Sequence, residues 1–231
     1  MSDNLSTTVR PAPSRPLGRL SPRARALLAC GAVAGPIYVL VGLTEALTRH
    51  GFDLAHDDLS LLSYGPLGWI HISLFVLTGV LVVLGAVGMA EALGGLRATR
   101  APALIGVFGA GLVGAGVFVA DPMGSFPPGT PPGRPAHVSL HGTGHFVTAA
   151  LGFLGLLIAC ALFARYFRRD HERGLAGYSA GTGVLFLTAF VGIASGSTAT
   201  PVVIGFWIGV ILAFTWLSVV CARLRRGDVR N

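Results

Sequence analysis

The sequence predicts an all-α fold of the polytopic membrane class, a six-transmembrane-helix bundle with both termini cytoplasmic. Three observations predict it. Hydrophobic residues are 52% of the 231 and charged residues only 12%, against roughly 25% charged in an ordinary soluble domain. Mean hydropathy is +0.70, so a soluble globule would lack polar side chains to cover its surface, and the core is far too apolar to stay disordered. Six apolar stretches each approach the length of about 20 residues that crosses a hydrocarbon core as a helix.

These stretches run over residues 26–48, 69–93, 101–120, 140–164, 177–196 and 201–222. A tail rich in Ser, Thr, Pro and Arg (1–25) precedes the first, and its composition predicts disorder. The first stretch is too long for a cleavable signal and lacks a clean cleavage site, so it reads as an anchor. Asp121-Pro122 ends the third, because proline disfavours helix at the residue before it. Pro135 suits the first helical position ahead of the fourth. Ser197, Thr198, Ala199 and Thr200 alone join the fifth to the sixth, which predicts an antiparallel pair. Residues 26–222 thus form one transmembrane domain, followed by a basic cytoplasmic tail, 223–231.

Charge placement sets the orientation. All seventeen basic residues are arginine. Arg10, Arg15, Arg19, Arg23 and Arg25 precede the first stretch; Arg97 and Arg100 lie in the second connection. Arg165, Arg168, Arg169 and Arg173 lie in the fourth; Arg223, Arg225, Arg226 and Arg230 follow the sixth. Only Arg49 and Arg134 fall in the odd-numbered connections. Six crossings therefore put fifteen arginines on one side and two on the other, and the positive-inside rule makes the rich side cytoplasmic in a multi-pass cell-membrane protein. Arginines interleaved with apolar stretches form no continuous basic face, which argues against nucleic acid as a partner.

Cys30, Cys160 and Cys221 map to the cytoplasmic halves of three helices, a reducing compartment where no disulfide is expected; Cys221 is also a weak candidate for palmitoylation. Glycine is abundant, 33 residues. Gly106, Ala110 and Gly114 recur at four-residue spacing, which lets helix backbones approach closely. This places the third helix in the bundle centre, with a homodimer face as the other use. Glu91 and Arg97 read as snorkelling residues, and Trp207 and Trp216 as packing or lipid-facing ones.

Titratable groups concentrate on the opposite, outer side. His50, His56, His71, His137, His141 and His145 lie there or just inside it, and so do Glu45, Asp53, Asp57, Asp58 and Asp121. In the first outer loop, His56-Asp57-Asp58-Leu59-Ser60 precedes Leu61, Leu62 and Tyr64. That pattern predicts a short interfacial helix with an Asp or Ser as its N-cap. Asp121 at a helix C-terminus would meet the negative end of the dipole, so its carboxylate needs a histidine, an arginine or a metal as partner. His137, His141 and His145 repeat every four residues and predict a stripe entering the membrane on the fourth helix. Two such histidines can share one metal, which makes His141, His145 and Asp121, with His71, a candidate set for a divalent cation such as zinc. Glu45 and Arg49 have favourable four-residue spacing for an ion pair, and an ionisable residue at membrane depth points to function.

This six-stretch chain, with His56-Asp57-Asp58-Leu59-Ser60, Asp121-Pro122 and a fourth helix opening on His141 and His145, resembles the bacterial and archaeal membrane family catalogued as domain of unknown function 998. The resemblance covers approximately residues 28–222 and implies about six helices and no agreed biochemistry. A fainter likeness is to intramembrane metal hydrolases of the ceramidase and progestin-receptor type, in which Ser60, Asp121, His141 and His145 would play the corresponding parts.

Three readings fit. The first is an enzyme acting on a lipid-like or isoprenoid substrate at the outer leaflet. Asp121, His145, Glu45, Asp57 and Asp58 would be its catalytic groups, through metal-assisted hydrolysis or acid–base chemistry. In a proton-initiated prenyl-chain cyclisation, Asp121 or Glu45 would protonate an alkene and Phe118, Phe126, Phe146 and Trp207 would shield the carbocation. The second is a non-enzymatic binder of membrane lipid, a sensor whose histidines titrate near pH 6.5, or a partner subunit. The third is a haem protein with His71 and His145 as axial ligands.

Overall fold

The computed structural model describes residues 20–94, 100–124, 126–131, 133, 135 and 137–227. Among these, six helices form: α1 Pro22–Thr48, α2 Gly68–Leu93, α3 Arg100–Val117, α4 Leu140–Arg169, α5 Arg173–Ala194 and α6 Thr200–Arg225. A 3-10 turn, Leu59–Ser63, lies between α1 and α2. All six helices are long and apolar enough to cross a membrane. The expected disordered tail falls largely on residues 1–19, outside the described residues, as does Arg97.

The helix ends follow local chemistry. Ser21 caps α1, its Oγ accepting from the Ala24 amide at 3.0 Å, so the helix starts at Pro22 rather than at residue 26. The sixth helix continues through Arg223 to Arg225, into the stretch read as a tail. Pro122 does not set the end of α3. The helix stops at Val117, three residues short of the expected bound, and Asp121 sits in an extended segment beyond it.

Each helix packs on its neighbours in sequence, and α1 closes the ring against α6. The ends of the helices at which α1 begins and α6 finishes carry the arginines. Arg23 pairs with Glu91 across α1 and α2, and Arg223 with Glu172 at the start of α5. The opposite end holds the loops 49–67, 118–139 and 195–199; we call it the loop end.

Glycines set the helix separations. A Cβ on Gly85 would lie 2.6 Å from the Gly31 Cα, and one on Gly109 would lie 2.7 Å from the Gly79 carbonyl oxygen. On the other side of α3, a Cβ on Gly111 would lie 2.8 Å from the Gly152 Cα. The close approaches of α3 thus use Gly109 towards α2, and Gly111 with Gly114 towards α4. Ala110 is exposed and Gly106 meets only the Ala86 methyl at 3.9 Å. The third helix is therefore one stave of the ring, not its centre.

Inside the ring, Tyr38 stacks on Phe214 with ring centroids 4.3 Å apart, and Phe108 packs on Phe214. Trp216 is fully buried and its Nε1 donates to Ser179 Oγ at 2.9 Å, tying α6 to α5. The three cysteines are free, and Cys221 is buried against Gly31, which leaves no room there for an acyl chain. The fifth helix contributes few buried residues, Ser179, Thr182 and Phe186, so most of its surface faces away from the bundle.

Candidate functional site

Two polar clusters occupy the loop end. The first forms where α1 runs out. Glu45 and Arg49 are one turn apart and pair at 3.1 Å, with side chains only 7% and 9% exposed. The other Glu45 oxygen takes a hydrogen bond from His71 Nδ1 of α2 at 2.8 Å. Arg49 also donates to the Tyr64 carbonyl at 2.9 Å and the Leu62 carbonyl at 3.0 Å, fastening the loop to the helix. One buried carboxylate thus meets one buried guanidinium, and both carboxylate oxygens accept a hydrogen bond. His71 Nε2 is buried without a partner.

The first loop folds on its own acids. The Asp53 amide donates to Asp57 Oδ2 at 2.7 Å, while His56 bridges Asp53 Oδ2 at 2.7 Å and Thr200 Oγ1 at 3.0 Å. The hydrogen bond from His56 holds the Asp53 carboxyl below its ordinary range. Burial raises Asp57 despite the bond from the Asp53 amide. Asp58 stands at the N-cap position of the 3-10 turn but makes no capping bond. Burial, with the Asp57 charge beside it, pushes Asp58 up to about 6. The turn itself is not interfacial, for Leu61 and Leu62 are fully buried; the apolar run after the acids packs into the bundle.

The second cluster spans α3 and α4. Asp121 Oδ2 accepts from the Ser139 amide at 2.8 Å, and Ser139 Oγ in turn accepts from the Gly142 amide at 2.9 Å. Asp121 therefore meets the positive end of α4 rather than the negative end of α3, which supplies the compensation its carboxylate needs. Gly142 permits this: a Cβ there would lie 2.0 Å from Asp121 Oδ2. Tyr64 donates its hydroxyl to the Ala120 carbonyl, bringing the first loop against this segment. Burial and the Asp121 charge raise the Tyr64 phenol. His145 directs Nδ1 at the carbonyls of Phe118 (2.9 Å) and Ala115 (3.2 Å), the last carbonyls of α3 and just beyond. Carbonyls only accept, so Nδ1 carries the proton and, in the neutral ring, Nε2 carries the lone pair.

Between these clusters and the ring interior lies a cavity of about 500 Å³. Its deep wall is apolar: Phe108 and Leu112 of α3, Phe153 of α4, Phe190 of α5, Phe206 and Phe214 of α6. Its polar groups are Tyr38, Asp58, Ser60, Asp121 and His145. Phe146 and Ala150 of α4 and Ala194 of α5, all exposed, also border it. The cavity therefore reaches the flank of the bundle between α4 and α5.

A family model described as "Protein of unknown function (DUF998)" matches residues 32–223. The chain belongs to the DUF998 family. Comparison with curated proteins and with solved structures returns no match. The DUF998 chain is a membrane protein with six apolar helices.

The expected site residues of the DUF998 chain separate into groups. Asp58, Asp121, His145 and Phe146 line the cavity, with Ser60. Glu45 and His71 belong to the α1–α2 network instead. Asp57 is spent on the loop backbone. Phe118 packs edge-on against His141, and Phe126 against Phe52. Trp207 is buried and borders a separate crevice of about 10 Å³ with Leu43 and Ile211. His137 precedes α4, which begins at Leu140, so the three-histidine stripe is reduced to His141 and His145; Pro135 likewise lies in the loop and borders the cavity.

Among the described residues no three His, Cys, Asp or Glu side chains gather closely enough to hold a metal ion. His141, His145, Asp121 and His71 thus do not converge as a zinc set. The reason is local: His71 is drawn to Glu45, Asp121 to the α4 amides, and His141 is exposed. Nor is there a slot for a porphyrin between His71 and His145. Phe75 packs edge-on against both rings, with centroids at 4.7 and 6.2 Å.

Sequence reasoning missed Tyr64 as a brace, the carbonyls that orient His145, and the aromatic wall. The signal for the first was present, since Arg49 is one of only two arginines in the odd-numbered connections and so had to find partners.

Proposed function

We propose that the DUF998 chain takes a lipid-like amphiphile, hydrocarbon chain inward, into this cavity and holds its head among Asp58, Asp121 and His145. The observation that carries the reading is the cavity itself. About 500 Å³ of largely apolar space carries five polar side chains and reaches the flank of the bundle between α4 and α5. Ligand sites have this composition, an apolar body with a few placed polar groups. An opening on a flank that lies within the bilayer favours a molecule already dissolved in lipid. The asymmetric arginines support an orientation with both termini cytoplasmic and the loop end at the outer leaflet of the cell membrane. His145, with a fixed tautomer, and Asp58, with a raised carboxyl, are suited to accept and donate a proton at the bound head, which favours an enzyme of the acid–base type.

The test is photo-labelling of the full chain in nanodiscs with a diazirine-bearing long-chain alcohol, followed by peptide mapping. Label on the α4 and α6 segments that line the cavity, lost in Ala149→Trp, is expected. Label confined to the lipid-facing side of α5, or label indifferent to Ala149→Trp, would overturn the reading.

A further inference from the structure

This inference rests on the amphiphile reading and adds the chemistry of the head. We propose that the cavity selects a long-chain molecule whose head donates hydrogen bonds and bears no negative charge: a long-chain alcohol or amine, not an alkyl phosphate or a fatty acid. The polar wall is richer in acceptors than in donors. Asp58 and Asp121 are carboxylates, and His145 has committed its Nδ1–H to the Phe118 and Ala115 carbonyls, leaving Nε2. Ser60 and Tyr38 offer the hydroxyls. Among the described residues no arginine lines the cavity.

Among the described residues, the loop-end cations nearest the first loop are already engaged, and Arg134 lies outside the described residues. Arg49 is held by Glu45 and by the carbonyls of Leu62 and Tyr64. His56 lies between Asp53 and Thr200. The start of α4 would draw an anion, but Asp121 already accepts from the Ser139 amide, and Ser139 Oγ from the Gly142 amide. An anionic head would therefore face two carboxylates with no cation among the described lining residues to pair with, at the edge of a low-dielectric interior where like charges repel strongly. A hydroxyl or an ammonium finds acceptors in the same place.

The experiment is competition against the diazirine-bearing alcohol on the full chain, in nanodiscs of uncharged lipid at neutral pH. Hexadecanol, hexadecylamine, hexadecyl phosphate and palmitate are the competitors. The alcohol or the amine is expected to displace label from the cavity peptides, the two anions at least about tenfold less effectively. Asp58→Asn should narrow that gap. Should the variant not fold, the series on the unaltered chain still decides. An anion that competes as well as the better of alcohol and amine overturns the inference, and so does a gap unchanged in folded Asp58→Asn. These outcomes leave the amphiphile reading standing, because the label is still displaced from the cavity. Absence of label from the cavity with every probe overturns the amphiphile reading as well.

Discussion

Glu45→Ala is the most informative single change at the α1–α2 network. It removes the carboxylate that neutralises Arg49 and accepts from His71 Nδ1. The Arg49 side chain is 9% exposed and fixed by two carbonyls, so it cannot swing into solvent without releasing the loop at Leu62 and Tyr64. Removing one partner of a buried ion pair costs about 3–5 kcal/mol. For a chain of this size, about 2–4 °C per kcal/mol makes the expected loss about 10 °C in Tm. The assay is a thermal melt of purified protein in one detergent at fixed concentration, for Glu45→Ala, Arg49→Met and the pair together. Because the double change leaves no orphaned charge, it should be less damaging than the sum of the singles, by roughly 1–3 kcal/mol. A loss under about 2 °C for Glu45→Ala, or simple additivity in the double, would refute the closed network.

Three further outcomes follow from the geometry. Asp58 has its folded carboxyl raised to about 6 from an ordinary 3.8. Its ionisation therefore opposes folding, a penalty absent below the unfolded value and complete above the folded one; Asp58→Asn should raise Tm at pH 7.5 but not at pH 3.5, and equal shifts at both would contradict the burial of this carboxyl. Asp121→Asn keeps the shape but loses the charge at the start of α4, which should cost about 0.5–1 kcal/mol and speed amide exchange at residues 139–143; unchanged exchange there would sink the capping role. Reporters fused before residue 1 and after residue 231 should both read cytoplasmic. Outside activity at either end would reverse the orientation on which the outer-leaflet reading depends.

The fold was legible because membrane helices are specified by length and composition, which survive ignorance of what packs where. Four of the six stretches, 26–48, 69–93, 140–164 and 201–222, lie inside observed helices; the other two overlap theirs and overrun them by two or three residues. Arg49 with Glu45 was legible for a similar reason, since both sit on one helix at a spacing that fixes their contact. Asp121 shows where local reasoning ends. Its neighbour Pro122 suggested a helix C-terminus and a missing cation, yet its partner is the amide of Ser139, 18 residues later. The polar connection 122–139 decides that return, and no periodicity marks it. Asp58 failed in the opposite sense: its position matches an N-cap, but the carboxyl is turned to the cavity wall and caps nothing.

The two polar clusters also differ in how completely they are satisfied, and this separates their roles. In the α1–α2 network, charge is balanced and Arg49 donates to Glu45 and to the Leu62 and Tyr64 carbonyls, so the cluster holds the loop to the helices; His71 Nε2 is left without a partner. In the cavity, the polar wall presents two carboxylates and an imidazole lone pair, with the Ser60 and Tyr38 hydroxyls as its donors. Buried polar groups are normally paired, because an unpaired one costs about 1–3 kcal/mol. A wall richer in acceptors than in donors, behind an apolar channel, is therefore better satisfied when donors arrive from outside the chain, as water or as the head of a bound molecule. The first cluster balances its charge within the chain, whereas the second has acceptors that a donor head would meet. That difference is what supports the proposed ligand site at Asp58, Asp121 and His145 over one at Glu45 and Arg49.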